Sequence, residues 1–255
     1  MDLYSWNVNG IRAIKKKGFD KWVYQNNPDI LCLQETKISQ DLLTAEVCNL
    51  DGYHSYWSCA QRKGYSGVAI WSKAKPLEVK FGLGIEKFDL EGRTLVLKYP
   101  KFTLLNVYFP NGGNGADRLQ YKLEFYEAFL KYCKKLIKNG EKVIFCGDVN
   151  TAHRSLDLAD PQANKNTSGF LAVEREWIDK VIKAGFVDSF RLINGDVAEQ
   201  YSWWDYRTGA RARNVGWRID YFFVCGTLKS KITGANIFPE VLGSDHCPIK
   251  LQLVI

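Results

Sequence analysis

The residues of this sequence best placed to do chemistry are polar side chains that close apolar, strand-like runs. A carboxylate or amide in such a place is drawn out of water and needs partners there. There are five such places. Trp6, Asn7, Val8, Asn9 and Gly10 end the first run, and Gln34, Glu35, Thr36 and Lys37 end the second. A third run leads into Tyr108, Phe109, Pro110, Asn111 and Gly112, and a fourth into Gly147, Asp148, Val149 and Asn150. The fifth set is Asp220, within WRIDYFFV, together with Ser244, Asp245 and His246. Singly, each has a plain reading: Asn7 as a helix cap, Glu35 in a surface ion pair, Asp148 and Asn150 in an Asx turn, His246 as a packed imidazole. Together they supply oxygen ligands for a hard cation, amides for an anion and an Asp/His pair, the parts that phosphodiester hydrolysis requires.

The elements that must position them are legible from periodicity. LYSWNV, DILCLQ, VAIWS, TLVLKYP, FTLLNVYF, KVIFCGD, RIDYFFV and PIKLQLVI read as strands, rich in β-branched and aromatic residues and bounded by Gly, Pro, Asp or Asn. Residues 117 to 138 place Leu119, Leu123, Tyr126, Phe129, Leu130, Cys133 and Ile137 near helical spacing, and Val173 to Ile182 follows suit after the turn NTSGF. Strands neighbour one another without intervening helices around residues 67 to 108, which argues against a strictly alternating sheet and for two packed sheets with helices outside. With no linker, repeat or composition break, residues 1–255 are expected to form one domain.

Composition narrows the partners. A net charge of +7 and a pI near 8.9 favour a polyanion. The seven cysteines are scattered, several of them inside apolar runs, and fit reduced core residues of an intracellular protein. With no CxxC pair and only three histidines a zinc site is not expected. Met1 leads almost directly into LYSWNV, and no run of about 18 apolar residues could span a bilayer. Neither export nor membrane anchoring is expected.

Six blocks now acquire a common meaning: WNVNGIRA at 6 to 13, LQETK at 33 to 37, YFPNG at 108 to 112, GDVNTAH at 147 to 153, NVGWRIDY at 214 to 221 and GSDHCP at 243 to 248. In this order, across nearly the whole chain, they resemble the signature segments of the exonuclease III family of abasic-site endonucleases. The nearer branch is the one containing the animal enzyme and its bacterial and archaeal relatives. The resemblance implies an α/β fold, a four-layered α/β sandwich of two packed mixed β-sheets flanked by helices, with a cleft at one end of the sheets. The implied activity is magnesium-dependent hydrolysis of the DNA backbone 5′ to abasic sites, with trimming of blocked 3′ ends and 3′ to 5′ exonuclease action. Mn²⁺ could replace Mg²⁺. The partner would be double-stranded DNA bearing abasic sites or blocked 3′ ends, and the protein a monomer in the cytoplasm or at the nucleoid, or nuclear if eukaryotic.

Carried over to matching positions, Glu35 resembles the magnesium-binding carboxylate, with Asn7 beside it and Asp245 near the metal. Asp148 resembles the residue that activates or orients the attacking water, with Asn150 as its neighbour. His246, held by Asp220, resembles the histidine that contacts the scissile phosphate; Tyr108 and Asn111 resemble the phenol and amide that stabilise charge on its oxygens. Trp203, Trp217 and Ile219 match positions lining a small apolar pocket for an extruded, baseless sugar, whereas Trp204 and Trp22 are expected in the core. Arg207, Arg211 and Arg213, in RTGARAR, suit a flexible loop following the phosphate backbone, and Lys15, Lys16 and Lys17 are a second basic run, as compatible with solvent as with phosphate. Two positions depart from the pattern: Asn9 where some relatives carry aspartate, and Asn114 where the animal enzyme inserts an arginine into DNA. Competing readings are a lipid or inositol phosphate phosphatase of the same fold, and a non-catalytic DNA-binding protein.

Overall fold

The computed structural model describes residues 1–255. In chain order the strands are β1 Asp2–Asn7, β2 Ile30–Gln34, β3 His54–Ser58, β4 Val68–Ser72, β5 Glu78–Phe81, β6 Thr94–Lys98 and β7 Thr103–Val107. They continue with β8 Val143–Asp148, β9 Phe186–Asp188, β10 Trp203–Trp204, β11 Gly216–Trp217, β12 Asp220–Cys225, β13 Ile232–Ile237 and β14 Ile249–Leu253. The helices are α1 Ile11–Lys15, α2 Phe19–Asn26, α3 Ala45–Cys48, α4 Glu86–Asp89, α5 Ala116–Lys138, α6 Ala172–Lys183 and α7 Ser189–Asn194.

Two six-stranded sheets, ordered β13-β14-β1-β2-β4-β3 and β5-β6-β7-β8-β12-β9, pack face to face, and β10 and β11 form a separate ribbon. Each sheet is mixed, with one parallel pair near its centre, β1 with β2 and β7 with β8. Between the sheets lies a core of Leu3, Cys32, Val68 and Ile70 against Leu95, Leu97, Leu104 and Cys146. Alternation sends Tyr4, Trp6, Leu31, Leu33, Ala69 and Trp71 to the other face of the first sheet, where Ile11, Ile14, Phe19 and Val23 of α1 and α2 cover them. On the far side, α5 and α6 bury Phe125, Tyr126, Phe129, Trp177, Ile178 and Val181. The expected four-layered sandwich is thus the observed one.

Polar stitching between the sheets begins where the site begins. Gln34 Nε2 donates to Ser5 Oγ and Asn106 Oδ1, and Asn106 Nδ2 reaches the carbonyls of Leu33 and Ala69. The two parallel pairs point their carboxyl ends to the same rim. Asn7 lies opposite Gln34 in one sheet; in the other, Asp148 ends β8 directly opposite Asp220. Asp220 opens β12 and does not close it, a correction to the sequence reading. It reaches the same rim because β12 runs antiparallel to β8.

The expected helices over 117 to 138 and 173 to 182 are α5 and α6. Strands β3, β5, β9 and β13 were not anticipated. All four are sheet edges, and β3 and β5 are exposed or only half-buried along most of their length, so they carry little apolar periodicity. No helix is long and apolar enough to cross a membrane.

Candidate active site

The rim is built from tight backbone. Asn9, Glu35, Lys37 and Asn150 all adopt left-handed φ angles between 46° and 55°, a conformation that costs a non-glycine residue on the order of 1 kcal/mol or more. Backbone bonds hold it: Gly10 N to Glu35 O, Ile11 N to Thr36 O, Thr36 N to Gly67 O and Lys37 N to Ser66 O. At Gly147, with φ of 132°, a Cβ would lie 1.9 Å from Val107 O, so only glycine lets β8 deliver Asp148 this close to β7.

Asp148 is buried, 1% exposed, at the centre of the site. Its Oδ2 accepts from Asn7 Nδ2 at 3.0 Å and Asn150 Nδ2 at 3.2 Å, and its Oδ1 from Asn150 N at 2.8 Å. Asn7 Nδ2 also donates to Glu35 Oε2. His246 Nδ1 donates to Asp220 Oδ2 at 2.8 Å, while its Nε2 faces Asp148 at 3.8 Å. Ser202 Oγ donates to Asp220 Oδ2 and accepts from the amides of Ile219 and Asp220. Burial works against a charge on His246, but the carboxylates of Asp220 and Asp148 outweigh it and raise its pKa to about 10. Burial, with His246 opposing it and Asp220 across the ladder adding to it, pushes Asp148 up to about 7. The histidine is therefore a held imidazolium, and Asp148 a carboxylate poised near neutrality.

These groups open into a cavity of about 300 Å³. Glu35, Tyr108, Asn111, Asp148, Asn150, Asp245 and His246 line one side, and Trp203, Trp217, Ile219 and the segment 167 to 169 the other. Asn7 and Asp220 stand just behind, bonded to the lining. Burial and the charges of Glu35 and Asp148 push the Tyr108 phenol well above its ordinary pKa, so it remains a donor. Asn111 Nδ2 donates to Asn150 Oδ1. Asp245 stays acidic because His246, Asn9 and Trp203 outweigh its burial; Asn9 Nδ2 and Trp203 Nε1 each donate to it.

The apolar side is distinct from the main core. Ala152, Leu158, Phe170 and Ile219 form their own small cluster, against which Trp203 and Trp217 are only half-buried. The two tryptophans face each other across the β10/β11 ribbon, rings 6.3 Å apart at 79°. Trp204 is buried as expected, and Trp22 packs edge-on to Tyr4 and Trp6.

The basic loop departs from expectation. RTGARAR folds as two short 3₁₀ turns, Tyr206–Thr208 and Ala210–Arg213, and none of its arginines lines the cavity. Arg207 and Arg213 are exposed, but Arg211 stacks 4.5 Å over Trp204 and donates to the carbonyls of Pro239, Val241 and Ser244. Its guanidinium is built in because three carbonyls of the 239–244 loop otherwise lack donors. Lys15 pairs with Asp20 and Lys17 with Gly243 O, leaving Lys16 exposed.

Several site residues went unread. Ser202 had a signal only in its adjacency to Trp203. Lys37, at the end of a recognised block, places Nζ 2.9 Å from Glu35 Oε1 and 2.5 Å from Asn9 Oδ1. Arg93 lies 4.9 Å from the centre of the Tyr108 ring and donates to the Tyr108 carbonyl, with Glu91 as its counter-ion. A larger cavity, about 660 Å³, lies at the opposite end of the sheets, at the β6–β7 turn. It is lined by Lys98, Lys101, Lys142 and Lys231 with Glu141 as the one acidic side chain, and none of the convergent carboxylates and imidazole of the rim.

Two sets of oxygen and nitrogen donors could serve a divalent cation. Glu35, Asn7 and Asp245 form the set expected from sequence, and Asp148, Asp220 and His246 bring ligand atoms within 4.8 Å of one another. No thiolate lines the cavity, so the donors suit a hard ion.

Residues 4–246 match the endonuclease/exonuclease/phosphatase family. The chain belongs to that family. It is 46% identical over 256 residues to an exodeoxyribonuclease of Bacillus subtilis strain 168, covering all of both chains. It is 42% identical over 258 residues to the DNA repair nuclease APEX1 of Danio rerio, covering all of this chain and 83% of that one. An AP endonuclease of Archaeoglobus fulgidus superposes with a TM-score of 0.91 at 31% identity, over the full length of both. The resemblance to exonuclease III-type abasic endonucleases is borne out, and with it the sandwich fold; the cluster of acidic residues and histidine is consistent with a divalent-metal site.

Proposed function

We propose that this enzyme is a magnesium-dependent DNA repair nuclease that hydrolyses the phosphodiester 5′ to an abasic site and trims blocked 3′ ends. One observation carries the reading. A single 300 Å³ cavity sets a poised carboxylate and a held imidazolium against a two-tryptophan wall.

Asp148 orients and deprotonates a water, with Asn7 and Asn150 fixing the carboxylate. The water oxygen bonds to phosphorus as the bond to the 3′ oxygen breaks; the water's proton passes to Asp148, and the leaving 3′ oxygen takes up a proton from solvent, leaving a 3′ hydroxyl and a 5′ deoxyribose phosphate. His246 Nε2, Tyr108 and Asn111 donate to the phosphate oxygens as their charge grows. Asp220 fixes the imidazole by accepting from Nδ1 and sustains its charge. Glu35 and Asp245, with Asn7, would hold the magnesium, while His246 Nδ1 and Asp220 Oδ2 are already bonded to each other. When bound, the ion supplies Lewis-acid stabilisation of phosphate and leaving-oxygen charge. Trp203, Trp217 and Ile219 accept a baseless sugar, and the net charge of +7 favours the duplex.

The test is incubation of the protein and Mg²⁺ with a duplex holding one abasic analogue, beside an undamaged duplex and an inositol phosphate. Incision at the analogue alone, lost in EDTA, is expected. Preferred release of phosphate from the inositol would overturn the substrate, and tight duplex binding without cutting would make the protein a binder.

A further inference from the structure

Helix α5 carries a lysine on its buried face. Lys122 is 0% exposed, as is its partner Glu174 in the first turn of α6, and Nζ to Oε1 is 2.6 Å. The other two donors of the ammonium reach Asn150 O at 2.8 Å and Thr151 Oγ1 at 2.9 Å. One helical turn on, Tyr126 donates to Val149 O, so α5 forms a rail under residues 149 to 151. Those residues follow Asp148, and Asn150 is the left-handed residue whose amide groups hold its carboxylate.

Glu174 makes the opposite attachment. Its Oε2 accepts from Gly169 N and Leu171 N, and its Oε1 from Ser168 Oγ. Ser168 and Gly169 line the cavity beside Trp217; a Cβ on Gly169 would stand 3.3 Å both from that indole and from Asn150 O. Gly169 O in turn accepts from Ala152 N. The ion pair is thus bonded at one end to the segment that aims Asp148 and at the other to the wall that measures the sugar.

We propose that Lys122 and Glu174 are positioning residues that couple the water-activating carboxylate to the sugar pocket, so that discrimination for the abasic nucleotide and turnover depend on one buried clamp. This rests on the proposed abasic-site reading. Stability alone does not require charge here, since apolar pairs replace buried ion pairs at little cost, whereas breaking one partner is severe. The design that separates the roles therefore removes both charges together.

The experiment compares wild type, Lys122→Met/Glu174→Gln and the isosteric Thr151→Val, which deletes the relay hydroxyl between Lys122 and Asn150. Melting temperature, kcat and KM on abasic and undamaged duplexes, and amide exchange at Asn150 and Gly169 are measured. In the folded double variant kcat on the abasic duplex should fall roughly 10- to 100-fold, the scale of a small misplacement of reacting groups. KM should change little, the preference over undamaged DNA should shrink, and exchange at both amides should rise. Thr151→Val should lower kcat several-fold with a modest loss of melting temperature, since its hydroxyl also serves the Lys122 ammonium and Tyr126, and it carries the test if the double variant does not fold. A folded double variant with kcat and preference within twofold of wild type, or a Thr151→Val with wild-type kcat, overturns the clamp. If the wild type cuts no abasic duplex, the functional reading fails by itself. The clamp is then decided by exchange: unchanged protection at Asn150 and Gly169 in the double variant overturns it.

Discussion

Asp148 and Asp157 are both 1% exposed aspartates, yet burial has opposite outcomes for them. Asp157 sits between Arg218, 2.7 Å away, and Arg191, and Arg218 also binds Asp188 at 2.8 Å. Two carboxylates meet two guanidiniums, and burial of Asp157 is outweighed by Arg218 and Arg191, which hold its pKa below the usual range. Around Asp148 the count does not close: Asp148, Asp220, Asp245 and Glu35 have only His246 and Lys37 as cations within ion-pair distance, and Asp148 is pushed up to about 7. The closed cluster ties together the segments that carry Asp157, Asp188 and Arg218. The open one keeps its uncompensated charge at the mouth of a cavity, where a cation and a phosphate can complete it.

Two substitutions, Asp148→Asn in the open cluster and Arg218→Met in the closed one, should have the largest and most opposite effects. Asp148→Asn removes the base while keeping its shape, and turnover should fall by roughly 10² to 10⁴. Its melting temperature should equal or exceed that of wild type, since a carboxylate held against burial has been removed. A large loss of melting temperature with retained turnover would reverse the assignment. Arg218→Met should do the opposite. Leaving Asp157 and Asp188 short of a partner should cost about 3–5 kcal/mol by urea unfolding, with kcat at permissive temperature within tenfold of wild type.

Acidity separates the clusters in the metal-free protein. Asp157 has a lowered folded pKa, so its contribution is present above the unfolded value near 3.8 and is lost as pH falls through the folded pKa. His246 has a raised one: its contribution is full below 6.5 and disappears as pH rises toward about 10. Asp148 adds in the same direction, since ionising it against burial costs stability as pH climbs from about 4 to about 7. Melting temperatures from pH 6.5 to 10 should therefore decline in wild type and flatten in His246→Asn. An identical slope in the two proteins would deny His246 its charge.

How much of this could be read from sequence follows the same division. The open cluster was legible because each member ends or opens an apolar strand, as Asn7, Glu35, Asp148 and Asp220 do, and the strands themselves are strongly periodic. The closed clusters were not. Lys122 and Glu174 are 52 residues apart, and a lysine in YKLEFYEAF reads as a solvated helix position until α6 is known to cross α5. Arg218 lies in a recognised block, but its partners Asp157 and Asp188 stand alone in loops and a three-residue strand. Edge strands β3 and β5 were lost because one side of each faces water and their alternation is weak. Local periodicity reports burial of an element; it does not report which distant charge meets which.

The basic loop repeats the comparison at small scale and supplies the mildest test. Arg207 projects with its side chain 90% exposed and only Asp205 nearby, at 3.4 Å, and Arg213 is also exposed, donating only to Thr208 O. These two are free to meet a phosphate. Arg211 has given its donors to three carbonyls and its face to Trp204, and burial lowers its pKa. Replacing Arg207 and Arg213 with serine should raise KM for abasic duplex, leave kcat and melting temperature near wild type, and shrink the slope of log KM against log salt by roughly one per phosphate contact removed. Arg211→Ser should instead lower the melting temperature by unpinning the 239–244 loop beside Asp245 and His246, with the salt slope unchanged. A reduced salt slope in Arg211→Ser, or a large kcat loss in the Arg207/Arg213 variant, would show that exposure does not distinguish arginines that grip DNA from arginines that hold the fold.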